Sequence, residues 1–337
     1  MADFTLGRRE LLRLAGVLPL TPMAMTGQRG ESMVDPASNV SRRSELYSLL
    51  GDLPDRARPV SGRKRGEELR DGYVLETWDL DLNGIEMVAA SLVRPREAAG
   101  RRPAVVFNHS HGGGYKIGKT EFIEGRPYLQ PVPYAKALTD LGYVALSIDH
   151  WVFGERSHTT ELETFKGMIW QGQVLWGMMV YDSLKAVDWL VGRADVDPNR
   201  LATIGMSMGS SMAQWLGALD TRIGVTVDIC CLTDYHTLLT KKGLSGHGIY
   251  YYVPSLLKHF TASQINALIA PRPHLALAGV QDRLAPAEGL DVIDRELTRV
   301  YTSLGQPDRW QIRRYDVGHE ETPDGRREAL GFLQRYL

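Results

Sequence analysis

Hydrophobic and polar positions follow two rhythms along this chain. Residues 73–81 and 84–94 alternate or run apolar on either side of Asn83-Gly84, a pair typical of tight turns, and predict a β-hairpin. Beyond them, short apolar runs with little alternation are separated by longer segments of helical periodicity. Such runs are typical of parallel strands that are buried on both faces. They predict strands at 104–108, 143–149, 201–205, 225–230, 274–279 and 311–315.

Helices are predicted between these strands. Residues 133–141 predict one helix, and the last helix is expected to begin at Pro323. Residues 174–191 and 287–304 place apolar side chains three and four positions apart, as one buried helix face requires. A hairpin followed by alternating strands and helices predicts an α/β fold, in which a mostly parallel central sheet has helices on both faces.

The N-terminal part of the chain lacks these rhythms. Residues 1–27 contain Arg8-Arg9, followed by leucines and a weakly apolar stretch, and resemble a twin-arginine export signal. The alternative is a short amphipathic surface helix. Residues 28–70 are rich in Arg, Ser, Pro and Gly and predict an arm or linker, with one short helix near 41–50. We therefore expect an exported protein, periplasmic or secreted, whose catalytic domain spans residues 71–337; without export it would be cytoplasmic.

Composition excludes several classes of protein. The chain has 337 residues, of which 43% are hydrophobic and 23% charged, a balance typical of globular domains and not of disordered chains. Its 39 basic and 40 acidic residues nearly cancel, so no global field favours nucleic acid or an anionic membrane. The two cysteines, Cys230 and Cys231, are adjacent and exclude a disulfide framework. The longest uncharged run, 201–219, contains glycines and hydroxyl groups and does not predict a membrane span.

Gly205-Met206-Ser207-Met208-Gly209 is a G-x-S-x-G motif between a predicted strand and a predicted helix. A nucleophile on so sharp a turn needs small neighbours, because the backbone closes tightly around it. The turn would present the hydroxyl at a helix N-terminus, where amide groups favour developing negative charge. The sequence therefore predicts Ser207 as a nucleophile.

A serine hydroxyl needs a general base to react at neutral pH. His319 follows the last predicted strand, at the same edge of the sheet as Ser207, and is the predicted base. The base needs an acid that orients it, and Asp282 directly follows the preceding strand. Asp234, after an earlier strand, is the rival candidate for this role.

An acyl-transfer site also needs donors for the oxyanion. We expect the backbone amide of Met208 and one from the loop Asn108-His109-Ser110-His111-Gly112-Gly113-Gly114, either that of His111 or that of Gly112. His109 and His111 form an H-x-H pair that invites a metal interpretation, but no third ligand is evident nearby. The sequence therefore predicts no metal and no cofactor.

Four motifs together resemble the α/β-hydrolase superfamily, and within it the branch of dienelactone hydrolases and acetyl xylan esterases. They are HSHGGG after a strand, GMSMG, GVQDRLAP and DVGHEE. The chain order Ser207, Asp282, His319 is also that of α/β-hydrolases. Residues 149–156 resemble the D-x-x-x-x-G-x-R segment that shapes the active-site floor in this branch. Two departures leave the substrate class open: dienelactone hydrolases have a cysteine nucleophile, and multimeric acetyl xylan esterases have Arg-Gly where His150-Trp151 stand here.

Specificity is expected to lie in the long connection 231–268 between two core strands. We interpret this connection as a cap-like insertion and expect substrate contacts from Tyr250, Tyr251 and Tyr252, with Trp151 from the floor segment. The alternative is that these aromatic rings pack onto the core.

These residues predict a serine carboxylic ester hydrolase that works through an acyl-enzyme on a small-molecule or oligosaccharide ester. One alternative is a prolyl-oligopeptidase-like peptidase, although residues 1–72 are too few for the propeller domain that usually precedes such a domain. Another alternative is a hydrolase fold that serves as a binding module with little activity.

Overall fold

The apolar runs of the sequence form the strands of one nine-stranded sheet. The structure, a computed structural model, describes residues 36–97 and 100–337. The predicted export signal, residues 1–27, lies outside the described residues. The strands are β1 (Ser61–Leu69), β2 (Tyr73–Asp81), β3 (Val88–Pro95), β4 (Arg102–Asn108), β5 (Val144–Ile148), β6 (Val196–Met206), β7 (Ile223–Ile229), β8 (His274–Gly279) and β9 (Trp310–Tyr315).

Across the sheet the strand order is β1-β2-β3-β5-β4-β6-β7-β8-β9. The first four strands in this order are antiparallel neighbours, and every pair from β5 to β9 is parallel. The parallel strands β5 and β8 are buried along their whole length, as their apolar composition requires. The predicted mostly parallel sheet with an antiparallel N-terminal hairpin is therefore confirmed.

Helices cover both faces of this sheet. The α-helices are α1 (Pro36–Ser48), α2 (Thr120–Glu124), α3 (Tyr134–Asp140), α4 (Glu161–Trp170), α5 (Leu175–Val191), α6 (Met208–Leu219), α7 (Tyr235–Thr240), α8 (Leu256–His259), α9 (Ala262–Ala267), α10 (Ala287–Ser303) and α11 (Pro323–Tyr336), and 3₁₀ turns occur at Gly154–Arg156, Leu244–Gly246, Ile249–Tyr251 and Pro307–Arg309. Within residues 36–97 and 100–337, no helix combines the length and the apolar character needed to cross a membrane. The connection 231–268 contains α7 to α9, so it is an insertion of short helices between β7 and β8.

The alternation of side chains along β4 separates the two halves of the core. Val105 and Phe107 lie in one apolar cluster with α3 and α11, whereas Ala104 and Val106 lie in another with α5 and α6. The Phe107 ring lies 5.2 Å from the Tyr134 ring of α3. Because successive side chains of a strand point to opposite faces, a single strand anchors both helical layers.

Strand β1 forms where a linker was expected. Its nine residues are all exposed, and it joins the sheet only by pairing with β2. Arg63 Nη2 lies 2.7 Å from Asp79 Oδ2 on the neighbouring strand. The charged sequence carries no apolar alternation, so nothing in its pattern distinguished it from a linker. Basic side chains on an edge strand also discourage pairing with another chain.

Helix α1 is also part of the domain. Leu46 and Leu50 are fully buried in the core cluster that contains α5 and α6. Arg43 donates hydrogen bonds to the carbonyl oxygens of Ala218 at 3.0 Å and Leu268 at 2.7 Å. Cations near the last carbonyl groups of a helix are favourable, and Ala218 lies in the last turn of α6. The described part of the predicted arm is therefore anchored by packing and by hydrogen bonds.

Three cationic side chains surround the carboxylate of Asp188 in α5. Arg56, which follows α1, pairs with Asp188, and Arg222 Nη2 donates to Asp188 Oδ1 at 2.7 Å. Lys185 Nζ lies 3.1 Å from Oδ2 of the same carboxylate. Burial alone would raise the pKa of Asp188, but the hydrogen bonds from Arg56 and Arg222 outweigh it and lower the pKa to about 2. The ionised carboxylate thus ties the segment after α1 to α5.

We predict that Asp188→Asn lowers the free energy of unfolding at neutral pH by about 1–2 kcal/mol. Because the folded-state pKa is depressed, this stabilisation is present above the unfolded value of about 3.8 and is lost as the pH falls toward about 2. Thermal unfolding from pH 7 to pH 2 should therefore give curves for wild type and variant that converge in acid. Glu296→Gln, which breaks an exposed pair with Arg299 within α10, is the control and should have little effect. A difference for Asp188→Asn that is constant with pH would contradict the prediction.

Candidate active site

Ser207 lies at a sharp turn between β6 and α6. Its φ of 59° and ψ of −117° are strained for a residue that has a side chain. A Cβ atom on Gly205 would lie 2.3 Å from the carbonyl oxygen of Gly209, and one on Gly209 would lie 1.9 Å from the carbonyl oxygen of Asn108. Both distances are too short for non-bonded atoms. The two glycines of the motif are therefore a steric requirement of the turn that carries Ser207.

The structure brings Ser207, His319 and Asp282 together, each in the segment that follows one of the strands β6, β9 and β8. His319 Nε2 lies 2.8 Å from Ser207 Oγ, and His319 Nδ1 lies 2.7 Å from Asp282 Oδ2. The second oxygen of Asp282 accepts a hydrogen bond from the Leu284 amide at 2.8 Å. A carboxylate beside Nδ1 keeps the proton on that nitrogen, which leaves Nε2 as the acceptor for the serine hydroxyl.

The loop of His319 is held against the end of β8. A Cβ atom on Gly279 would lie 2.1 Å from the carbonyl oxygen of Gly318, so the two segments touch backbone to backbone. The Gln281 amide donates to the carbonyl of Val317 at 3.0 Å. The side chain of Asp282 is 1% exposed, whereas that of His319 is 25% exposed.

Two other acidic residues that follow core strands, Asp234 and Asp316, have different partners. Asp234 caps α7, where its Oδ2 accepts hydrogen bonds from the amide and the hydroxyl of Thr237, both at 2.8 Å. Asp316 accepts a hydrogen bond from the Gln281 side chain at 2.8 Å on the surface. Asp282 is therefore the carboxylate that contacts His319 in this structure.

The loop after β4 lies directly against the turn of Ser207. The Asn108 carbonyl, at the start of this loop, is the group that Gly209 approaches, so the loop and the N-terminus of α6 are neighbours. Gly112 and Gly113 have φ values of 48° and 66°, which glycine adopts without a steric penalty. Within the described residues, the amides of His111 and Gly112 have no hydrogen-bond acceptor. The amides predicted as oxyanion donors therefore lie on adjoining segments.

The two histidines of the H-x-H pair have separate partners. His109 is fully buried; its Nδ1 donates to the Ser110 carbonyl at 3.0 Å, and its Nε2 accepts from the His150 amide at 3.2 Å. Burial lowers the pKa of His109 to about 4, so its ring is neutral at neutral pH. The Nε2 of His111 instead lies 3.1 Å from the Tyr115 hydroxyl. Among the residues that the structure describes, no three metal-binding side chains cluster.

The floor segment, residues 149–156, is held in place by a buried ionic network. Asp149 accepts hydrogen bonds from the Lys119 amide at 2.7 Å and from the Lys119 ammonium at 2.9 Å. Arg156 donates to the Asp149 carbonyl at 2.9 Å and to the carboxylate of Asp182 at 2.8 Å. Buried charges persist only when they are paired, and here each has a partner of opposite sign. The network ties the end of β5 to the segment after β4 and to α5.

The four aromatic residues predicted as substrate contacts differ in exposure. Trp151, Tyr251 and Tyr252 are half-buried, whereas Tyr250 is only 3% exposed. Tyr251 and Tyr252 line a cavity of about 420 Å³ within the insertion, and no residue of the Ser-His-Asp group lines that cavity. The Trp151 ring lies 4.4 Å from the guanidinium of Arg156. Tyr250 therefore packs into the core, as the alternative interpretation of these rings required, and only the other three keep surface for a ligand.

Sequence reasoning missed two polar residues, Glu161 and Tyr115, beside the loop 108–114, which carries proposed oxyanion donors and is called the oxyanion loop below. Glu161 is the first residue of α4 and is 8% exposed, and the Tyr115 hydroxyl donates to its Oε2 at 2.9 Å. Acidic residues are common in the first turn of a helix, so nothing in the sequence pattern indicated a buried role for Glu161.

Comparison of the sequence with known proteins shows the family to which the chain belongs. No protein-family model matches the chain. The Bacillus subtilis (strain 168) protein named "Putative hydrolase YtaP" is 53% identical over 296 residues, which cover 88% of this chain and 99% of that protein. Such identity over nearly the whole of both sequences is far beyond what a shared fold alone produces.

Solved structures of esterases share the fold. A glucuronoyl esterase from Solibacter usitatus superimposes with a TM-score of 0.64 at 17% identity, covering 91% of this chain and 95% of that one. An acetyl xylan esterase from Paenibacillus sp. R4 gives 0.61 at 18% identity, covering 92% and 97%. The chain has the α/β-hydrolase fold of these esterases, and it belongs to the same family as the Bacillus subtilis protein named "Putative hydrolase YtaP".

Proposed function

We propose that this enzyme is a serine carboxylic ester hydrolase that works through an acyl-enzyme. The observation that carries the proposal is the pair of hydrogen-bond distances at His319, 2.8 Å to Ser207 and 2.7 Å to Asp282. This arrangement can remove a proton from the serine hydroxyl while it stabilises the resulting imidazolium.

The proposed reaction has two halves. Ser207 Oγ attacks the ester carbonyl carbon while His319 Nε2 takes its proton, and the imidazolium then protonates the alkoxide as the bond to the alcohol breaks. Water repeats the sequence on the acyl-serine: His319 accepts a proton from water, the hydroxide attacks, and Ser207 leaves with that proton. Asp282 holds the imidazole in the required tautomer through both halves.

The tetrahedral intermediate of each half carries an oxyanion. We propose that the backbone amide of Met208 and the amide of His111 or Gly112 donate to it. Two observations support this proposal: the close contact of Gly209 with Asn108, and the lack of another acceptor, within the described residues, for the two loop amides. Preorganised donors of this kind each contribute on the order of 10²- to 10³-fold to the rate.

The proposed substrates are small-molecule or oligosaccharide esters. The named activities of the structural neighbours, acetyl xylan esterase and glucuronoyl esterase, support ester chemistry on carbohydrate. The half-buried rings of Trp151, Tyr251 and Tyr252 are the proposed contacts of such substrates. We also propose export by the twin-arginine route, which rests on Arg8-Arg9 in a segment outside the described residues.

Ser207→Ala is expected to lower ester hydrolysis by on the order of 10⁴- to 10⁶-fold, because the residues of such a site act as a unit. The assay compares p-nitrophenyl esters with aminoacyl nitroanilides, and wild type should prefer the esters. A phosphonate ester should form one adduct on wild type, at Ser207, and none on the variant. Ser211→Ala is the matched control, since that hydroxyl lies one helical turn further along α6 and has no hydrogen-bond partner within the described residues. A folded Ser207→Ala enzyme with near wild-type turnover would refute the nucleophile.

Asp282→Asn is expected to cost on the order of 10³- to 10⁴-fold in kcat, because an amide beside Nδ1 favours the wrong tautomer of His319. Asp234→Asn should stay close to wild type, since asparagine also caps a helix and can accept the same hydrogen bonds from Thr237. Steady-state kinetics on one ester measures both variants. Equal losses, or a larger loss at Asp234, would assign the acid to the earlier position.

A further inference from the structure

A second buried carboxylate lies beside the proposed oxyanion loop. Glu161 begins α4, fifty positions after His111, and its side chain is 9% exposed. Its Oε2 accepts from the Tyr115 hydroxyl at 2.9 Å, its Oε1 accepts from the Tyr250 amide at 3.3 Å, and the same Oε1 lies 3.6 Å from His111 Nε2. The carboxylate thus joins three segments that are distant in sequence: the oxyanion loop, α4 and the insertion.

The hydrogen bonds around His111 run in one consistent direction. The Gly113 amide donates to His111 Nδ1 at 3.1 Å, so that nitrogen is unprotonated and the proton of the neutral ring is on Nε2. His111 Nε2 then donates to the Tyr115 oxygen at 3.1 Å, and the Tyr115 hydroxyl donates to Glu161. Each donor meets an acceptor, and the series ends on a carboxylate that can only accept. His111 and Tyr115 are half-buried, and this direction is the one in which every donor of the series meets an acceptor.

Aromatic packing fixes the same imidazole from its sides. The His111 ring lies 5.5 Å from the Tyr250 ring in a stacked arrangement, and 5.3 Å from the Phe153 ring, edge to face. The Gly114 amide also donates to the His111 carbonyl at 3.0 Å and closes the loop as a turn. Both the side chain and the backbone of His111 are therefore fixed in position. A displacement of the imidazole ring would displace the backbone amide as well.

We propose that Glu161 is a positioning residue for the oxyanion hole: through Tyr115 and His111 it fixes the loop amides at the place where the oxyanion forms. This inference rests on the proposed function, since it assigns a task within the same reaction. Glu161 does not touch the reacting atoms. A donor is effective only if its place is fixed before the charge appears, and Glu161 supplies that constraint.

The charge states of the two groups agree with this role. Burial acts to raise the pKa of Glu161, but the N–H group of His111 beside the carboxylate and the hydrogen bond from Tyr115 outweigh it and hold the pKa below its ordinary value. Burial, together with the neighbouring carboxylate, raises the pKa of Tyr115 to about 12, so its hydroxyl keeps the proton that it donates. At neutral pH the acceptor is charged and the donor is protonated.

The test compares Glu161→Gln with Glu163→Gln, which removes the same charge from an exposed side chain in the same helical turn. Glu161→Gln should lower kcat by on the order of 10- to 100-fold while KM changes little, because the hydrogen bond to the oxyanion strengthens in the transition state. A boronic acid, which forms a tetrahedral anionic adduct on serine, should lose affinity in the same ratio as kcat/KM. Glu163→Gln should match wild type in all three measurements.

Tyr115→Phe provides a second variant that keeps the ring and removes only the hydroxyl. It should shift kcat and boronic acid affinity in the same direction as Glu161→Gln, and the double variant should lose less than the product of the two single losses. This variant also decides the matter if Glu161→Gln fails to fold. The positioning role would be overturned by a loss confined to KM. It would also be overturned if the loss in kcat of the double variant equalled the product of the two single losses.

Failure of the proposed function is distinguishable from failure of this inference. If wild type binds no boronic acid and forms no phosphonate adduct at Ser207, the acyl-enzyme mechanism is refuted and the inference falls with it. If wild type does both and Glu161→Gln behaves like Glu163→Gln, only the positioning role is refuted.

Discussion

The close contact between the N-terminus of α6 and the end of β4 is the constraint on which the site depends. A side chain at position 209 would lie within 1.9 Å of the Asn108 carbonyl oxygen, and one at position 205 would strike the backbone of Gly209. With glycine at both places, the turn closes and holds Ser207 at a φ of 59°. The cost of that strained backbone, of order 1–3 kcal/mol, is offset by the packing of the surrounding strands and helices. Because the same contact joins the turn to the loop after β4, it holds the proposed nucleophile and the proposed oxyanion donors in one rigid frame.

A second contact of the same kind positions His319, the proposed base. Gly279 at the end of β8 meets the backbone of Gly318, so the segments that carry Asp282 and His319 leave the sheet side by side. Parallel strands expose their carboxyl ends at one edge, and three such ends therefore supply the three side chains. The two backbone contacts bring together the segments that carry these side chains, and the hydrogen bonds at His319 are 2.7 and 2.8 Å long. The distances among Ser207, His319 and Asp282 therefore depend on glycines that are not proposed to react.

The parts of the structure that could be predicted from sequence are those with a local physical signal. Buried parallel strands such as β8 are short apolar runs and were predicted with the right residues, and the G-x-S-x-G motif encodes a steric requirement that can be read from five letters. Strand β1 could not be predicted, because its stability comes from pairing with β2 and its residues are charged and exposed. Tyr250 was predicted as a substrate contact because it lies in the long connection 231–268, but only the tertiary structure determines that its ring packs against His111.

Glu161 illustrates a more general limit. Its proposed role depends on a hydrogen bond from Tyr115 and on proximity to His111, which precedes it by fifty positions in the sequence. Neither hydrophobic periodicity nor motif spacing predicts such a tertiary contact. Under the proposed role of Glu161, the insertion and the floor segment act on catalysis even where they do not touch a substrate. The insertion contributes the Tyr250 ring and amide, and the floor segment is followed by α4, which contributes the carboxylate. The proposal therefore implies that a substitution that adapts either segment to a new substrate also acts on the proposed oxyanion donors, which would couple specificity to transition-state stabilisation.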